Sequence, residues 1–80
     1  MHSYTLYYQI VPIGDGYHYV GLNENNQPTL YHKKYRTPQT TNLLFKTEEA
    51  AQEYININLE VSRFKPQSAL FLDSYFNLNS

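Results

Sequence analysis

Imidazoles are the side chains in this sequence with the widest chemical repertoire, because a histidine can bind a metal, transfer a proton or activate a nucleophile. The chain has three: His2, His18 and His32. A metal site needs three or four ligands with supporting hydrogen bonds, and the sequence offers no close acidic third ligand for His18 and His32. We therefore expect two surface histidines on neighbouring strands, with no bound metal and no cofactor.

The acidic and hydroxyl residues do not form a catalytic pattern. Glu49, Glu53 and Glu60 fall on the polar side of a predicted helix, where a solvated face is expected rather than a buried acid–base pair. The Gly-Asp-Gly segment 14–16 is too short for a phosphate-binding loop, and no helix follows it. The chain lacks cysteine, which excludes thiol nucleophiles, disulfides and thiolate metal ligands. The sequence predicts a non-enzymatic protein.

Tyrosine is the most informative residue type, with nine in 80 residues. If the 14–16 turn closes a symmetrical hairpin, Val11 faces Tyr19 and Ile13 faces Tyr17, so the odd-numbered side chains share one face. Phenol rings on such a face offer a large contact area at a small entropic cost. We predict that this face binds a protein partner or a second copy through six residues: Tyr7, Tyr17, Tyr19, Tyr31, Lys33 and Tyr35.

Other interpretations of this face stay open. Tyrosine is a preferred strand residue, so half-exposed rings need no function, and a one-residue slip in register would exchange the two faces. A nucleic acid could instead stack its bases on the rings while its phosphates meet Lys33, Lys34 and Arg36. The net charge of −1 weakens that phosphate attraction, so DNA or RNA binding is the second hypothesis. Inhibition of a host nucleic-acid-binding protein is the third.

The tyrosines belong to a predicted antiparallel meander with strand order 1-2-3. Alternating apolar and polar residues predict strands over 3–12, 17–22 and 29–35. Turn-forming residues separate them, Gly-Asp-Gly after the first strand and an Asn-rich stretch ending in Pro28 after the second. The opposite face would be the floor on which a helix packs, and six residues make it up: Leu6, Tyr8, Ile10, Val20, Leu22 and Leu30.

One main helix is predicted over about 48–60. Thr47 is a favourable N-cap, and two glutamates follow in the first turn, where the helix dipole favours negative charge. Asn58 falls within the apolar arc, so either the helix frays before it or its amide bonds to a neighbouring backbone group. The arc itself spans roughly 200° at 100° per residue and contains Ala50, Ala51, Tyr54, Ile55, Ile57, Leu59 and Val61.

The segments on either side of the helix are less regular. Residues 36–42 are predicted to form a loop, and residues 43–45 fit a brief buried strand. In the tail, 61–80, alternating apolar residues fit a strand, whereas a different set fits a short helix capped by Ser68, and we favour the helix. Pro66 is expected to break whatever element precedes it.

Together these elements predict one α+β domain over residues 1–80, a small antiparallel three- to four-stranded sheet packed on one main helix with a tail of uncertain type. Its parts are a meander over 3–35, the loop over 36–42, the helix and the tail. A domain this small buries only about 60% of its unfolded surface, so self-association is a natural source of further stability. With no apolar run long enough to span a bilayer and no basic leader, we expect a cytoplasmic protein.

The segment FKTEEAAQEYI, which follows a Tyr-rich meander and a basic strand, resembles the end of the arm-DNA-binding domains of phage-type integrases. The resemblance covers 4–55 and implies a three-stranded sheet on one helix, with Tyr17, Tyr19, Lys33 and Arg36 on DNA. The chain departs from that family in lacking its first-strand tryptophan and its Gly-Lys turn before a strongly basic strand. The high Tyr and Asn content is also typical of an AT-rich bacterium or of its phages and mobile elements.

Overall fold

The computed structural model describes residues 3–32 and 41–72, which form an α+β fold of antiparallel strands and one helix. This fold class confirms the prediction. The strands divide into two sheets, one of two strands in the order β1-β5 and one of three in the order β3-β2-β4. In chain order the elements are β1 (Tyr4–Pro12), β2 (His18–Leu22), β3 (Pro28–His32), β4 (Thr41–Asn42), α1 (Glu48–Asn58) and β5 (Phe64–Leu72).

The partner of β1 differs from the prediction. β1 pairs along its whole length with β5, from Tyr4 opposite Leu72 to Pro12 opposite Phe64, and no ladder joins it to β2 among the described residues. Gly14, with a φ of 84°, turns the chain as expected, but the turn leads into the second sheet instead of closing a hairpin. The predicted strand order 1-2-3 is therefore wrong at its first step, while the β2–β3 pair is confirmed.

The tail forms a strand where a helix was favoured. Phe64–Leu72 pairs with β1 along its whole length, so the backbone groups of β5 that face β1 are hydrogen-bonded to it. The predicted helix over these residues, capped at Ser68, is therefore wrong. The alternating apolar residues, which indicated a strand, gave the correct structure. Residues 73–80 lie outside the described part of the chain.

Pro66 sits within β5 because of the hydrogen-bonding parity of the ladder. On the edge of β1 away from β5, the Tyr8 amide donates to the Phe45 carbonyl at 2.8 Å and the Phe45 amide donates back at 3.0 Å. Tyr8 and Ser68 are therefore a pair without mutual hydrogen bonds, and so are Ile10 and Pro66, two residues along. Pro66 needs no amide hydrogen there, so it does not break the strand.

The second sheet is closed by a side-chain-stabilised turn. The Asn23 carboxamide oxygen accepts hydrogen bonds from the Asn25 and Gln27 amides, each at 2.9 Å, and Asn26 takes a φ of 59°. Such local bonding is why asparagine is frequent in turns. The predicted break between the second and third strands is confirmed, whereas residues 33–35 of the predicted third strand lie outside the described residues.

The segment before the helix differs slightly from expectation. Thr41 and Asn42 were assigned to a loop but form the two-residue strand β4 beside Leu22 and Gly21. The brief strand predicted at 43–45 reduces to the single bridge between Phe45 and Tyr8. Residues 36–40 of the predicted loop are not among those described.

The helix confirms its sequence signals. The Thr47 hydroxyl accepts a hydrogen bond from the Ala50 amide at 3.1 Å, and α1 ends at Asn58, whose side-chain amide donates to the Tyr54 carbonyl at 3.2 Å.

No helix among residues 3–32 and 41–72 is long and apolar enough to cross a membrane.

The core forms where α1 crosses both sheets. Ala51 and Ile55 of the helix pack against Ile10 of β1 and Val20 of β2, and all four are buried. Half-buried side chains surround this centre: Tyr8, Leu43, Phe45, Tyr54, Leu59 and Phe64. Ile57 and Val61 of the predicted apolar arc are instead exposed.

Gly21 should be the glycine most sensitive to substitution. A Cβ at this position would lie 2.9 Å from the Thr41 carbonyl oxygen and 2.9 Å from the Tyr31 ring. We predict that Gly21→Ala lowers the unfolding free energy by about 1–3 kcal/mol because the close approach of β4 and the ring must open. Urea denaturation measures the loss. Gly16→Ala is the control, since its Cβ would meet nothing within 4 Å, and equal losses in the two variants would contradict the packing at Gly21.

Candidate functional site

The predicted tyrosine face is only partly exposed. Tyr17 is 68% exposed, as expected, whereas Tyr19 is only 5% exposed, and Tyr7 and Tyr31 are half-buried. The expectation that all these rings face solvent is therefore wrong at Tyr19. The remaining predicted contact residues, Lys33, Lys34, Tyr35 and Arg36, lie outside the described residues.

Rings of this face make contacts within the molecule. Tyr31 lies across Gly21, donates its hydroxyl to the Leu22 carbonyl at 3.4 Å, and has its ring centroid 6.3 Å from that of Tyr19. Tyr7 meets Phe71 edge to face at 5.9 Å, across the β1–β5 pair. The strand parity was nevertheless correct, because Ile10 and Val20 turn towards the helix while their odd-numbered neighbours do not. What the sequence did not reveal is that these rings pack on neighbours within their own sheets.

A different apolar surface lies at the far end of the β1–β5 ribbon. Leu6 and Leu70 are direct cross-strand partners, and Tyr4 lies two residues along on the same face. Their side chains are 47%, 68% and 62% exposed, respectively. We call Tyr4, Leu6 and Leu70 the ribbon patch. Leu6 was predicted to lie under the helix, and its exposure corrects that expectation.

The ribbon patch is open because the helix is short. Eleven residues of α1 extend about 16 Å, whereas the nine residues of β1 extend about 30 Å. The helix therefore covers the inner half of the ribbon, around Ile10, and the same apolar face continues past it. Single exposed leucines are ordinary on protein surfaces, but adjacent ones with an aromatic neighbour form a patch of the kind that marks an interface.

A second uncovered region lies at the other end of the helix. Here Leu30, which faces the same side as Val20, is half exposed instead of being part of the predicted floor. It borders an open groove of about 590 Å³, and the Glu60–Arg63 ion pair at its rim, 3.8 Å long and exposed, contributes little to stability. The apolar lining comes from Pro12, Ile13, Leu30, Leu59 and Phe64.

The histidines occupy neighbouring strands, as predicted, with His18 opposite His32 and their ring centroids 5.3 Å apart. The sequence reasoning missed Asp15, whose carboxylate lies 2.7 Å from Nδ1 of His18. The same carboxylate accepts the Tyr17 amide at 2.7 Å, so its immediate role is to hold the 14–16 turn. Across 3–32 and 41–72, no three His, Cys, Asp or Glu residues come together in an arrangement that could hold a metal ion.

In comparisons with protein-family models, with curated proteins and with solved structures, the chain matches none. The resemblance to arm-DNA-binding domains therefore stays a prediction, and inference of function depends on the geometry described above.

Asp15 should make stability depend on pH. The Tyr17 amide, and secondly His18, hold the pKa of the Asp15 carboxyl below its ordinary value. A carboxyl whose pKa is lower in the folded state stabilises the fold above its unfolded pKa, and this contribution is lost as pH falls through the folded pKa. We predict that Asp15→Asn flattens the decline of unfolding free energy below about pH 4.

Urea denaturation of the two proteins across that pH range measures the difference. His18→Gln keeps the titrating carboxyl and its hydrogen bond from the Tyr17 amide, so it should flatten the decline less than Asp15→Asn does. An identical pH dependence in wild type and Asp15→Asn would contradict the predicted role of this carboxylate.

Proposed function

We propose that this chain is a non-enzymatic interaction module that binds a protein through the ribbon patch. One observation carries the proposal: Leu6 and Leu70, cross-strand neighbours on the core-facing side of the ribbon, are both about half exposed or more, with exposed Tyr4 beside them. An apolar surface that continues from the core but has no cover favours burial against a partner.

The chemistry of the patch favours a protein over a nucleic acid. Leucine side chains offer nothing to a phosphate, whereas two leucines and a tyrosine match the apolar centre of a protein interface. The net charge of −1 also gives no general attraction for DNA or RNA. DNA or RNA binding through Lys33, Lys34 and Arg36, and inhibition of a host nucleic-acid-binding protein, are alternative outcomes of the experiment below.

Replacing the leucine pair by a charged pair should weaken binding without opening the ribbon. The double variant Leu6→Lys/Leu70→Glu keeps the net charge and places opposite charges across the strands, which supports the pairing. Each buried leucine contributes about 1.5–3 kcal/mol to an interface, so we predict a loss of affinity of at least about tenfold. Partners are captured from an extract of the native host, and their affinity is then measured with purified proteins.

The control is Ile57→Lys/Val61→Glu, which also replaces two exposed apolar residues by an opposite pair. This variant should bind as wild type does, because neither residue belongs to the ribbon patch. Equal loss in both variants, or no loss in either, would contradict the proposal. Retention of nucleic acid alone, lost with salt and with Lys33→Ala/Lys34→Ala, would favour the DNA or RNA alternative.

A further inference from the structure

The outer edge of β5 carries backbone groups that point away from β1. Tyr8 and Ser68 are a pair without mutual hydrogen bonds, because Tyr8 bonds to Phe45 on its other side. By the alternation of an antiparallel ladder, the amides and carbonyls of Ser68, Leu70 and Leu72 also face outward. In the part of the chain that the structure describes, no strand pairs with this edge.

The two halves of this edge differ in their protection. Natural proteins discourage pairing at a sheet edge with lysine or proline, and Lys65 and Pro66 provide both in the inner half of β5. From Gln67 to Leu72 the strand contains no charged residue and no proline. The unprotected half is also the half beside the ribbon patch, beyond the helix.

A ribbon of two strands is only marginally stable in water without a third strand or a covering layer. The outer half of the β1–β5 ribbon has an exposed core-facing side, and none of the described strands pairs with its β5 edge. We propose, resting on the proposed role of the ribbon patch, that a second copy of this chain supplies the missing strand, with β5 paired antiparallel to β5 of the second copy across a two-fold axis at Leu70.

Pro66 selects this register. With the axis at Leu70, Leu70 pairs with itself and Ser68 pairs with Leu72 in both directions, which gives about six hydrogen bonds. An axis at Ser68 would place Pro66 opposite Leu70, where an amide hydrogen is required and proline has none. Moving the axis towards Leu72 leaves fewer paired residues within β5. The axis at Leu70 therefore gives the longest pairing of β5 that keeps Pro66 outside.

The same register joins the two ribbon patches. Directly opposite residues share a face, so a row of four leucines crosses the four-stranded sheet: Leu6 and Leu70 of one copy, then Leu70 and Leu6 of the other. Because the paired segments carry no charge, no like charges oppose each other. An antiparallel edge is also complementary to itself, as a two-fold interface requires. These features favour a second copy over a partner of another sequence.

The absence of cysteine from the chain makes disulfide trapping a clean test. In the proposed dimer the two Leu70 Cα atoms are about 5.5 Å apart, within the roughly 4.4–6.8 Å that a disulfide spans. The two Ser68 positions are four residues out of register, about 13 Å along the strands, which is too far. Both side chains are exposed in one copy, so Leu70→Cys and Ser68→Cys form a matched pair.

Under mild oxidation, we expect Leu70→Cys to give at least about tenfold more covalent dimer than Ser68→Cys, and sedimentation of the wild type to show a dimer. Equal cross-linking of the two variants, or a wild type that stays monomeric while neither variant cross-links, would overturn the proposal. If the monomeric chain still binds another protein through the ribbon patch, the dimer is excluded while the proposed function stands. If the chain neither dimerises nor binds another protein through the ribbon patch, both the dimer and the proposed function are excluded.

Discussion

The structure depends on how far one short helix reaches. Ala51 and Ile55 meet Ile10 from one sheet and Val20 from the other, and this contact is where the two sheets share a core. Among the described strands no ladder connects the two sheets. The packing of both sheets against α1 therefore holds them together. A helix of 11 residues covers only the middle of the apolar side, and the surfaces at its two ends follow from that length.

Local signals determined which parts of this fold could be predicted. Thr47, the glutamates after it and the turn at Asn23 act within a few residues, and the structure confirms each of them. Alternation along the first strand also predicted correctly that Ile10 faces the helix. Local signals could not predict which strand pairs with β1. Its partner, β5, lies more than fifty residues away, and nothing in the local sequence distinguishes β5 from β2.

The structure also moves the candidate contact surface from the tyrosine face to the ribbon patch. Tyr19 and Tyr31 were placed on an outward face by their parity alone, yet Tyr19 is buried and the two rings pack against each other across the β2–β3 pair. Conversely, Leu6 and Leu30 were assigned to the core because their parity is correct, yet the helix does not extend over them. Parity predicts the side on which a residue lies, and the length of the covering element decides whether that residue is buried.

The reach of α1 can be measured directly as the solvent accessibility of individual methyl groups, read by NMR from the relaxation that a soluble paramagnetic probe causes in a dilute sample. We predict strong relaxation for Leu6, Leu70 and Leu30 and weak relaxation for Ile10, Val20 and Ile55. Uniformly weak relaxation at Leu6, Leu70 and Leu30 would show that the ends of the apolar side are covered within one molecule. That result would contradict the conclusion that α1 leaves both ends of the apolar side exposed.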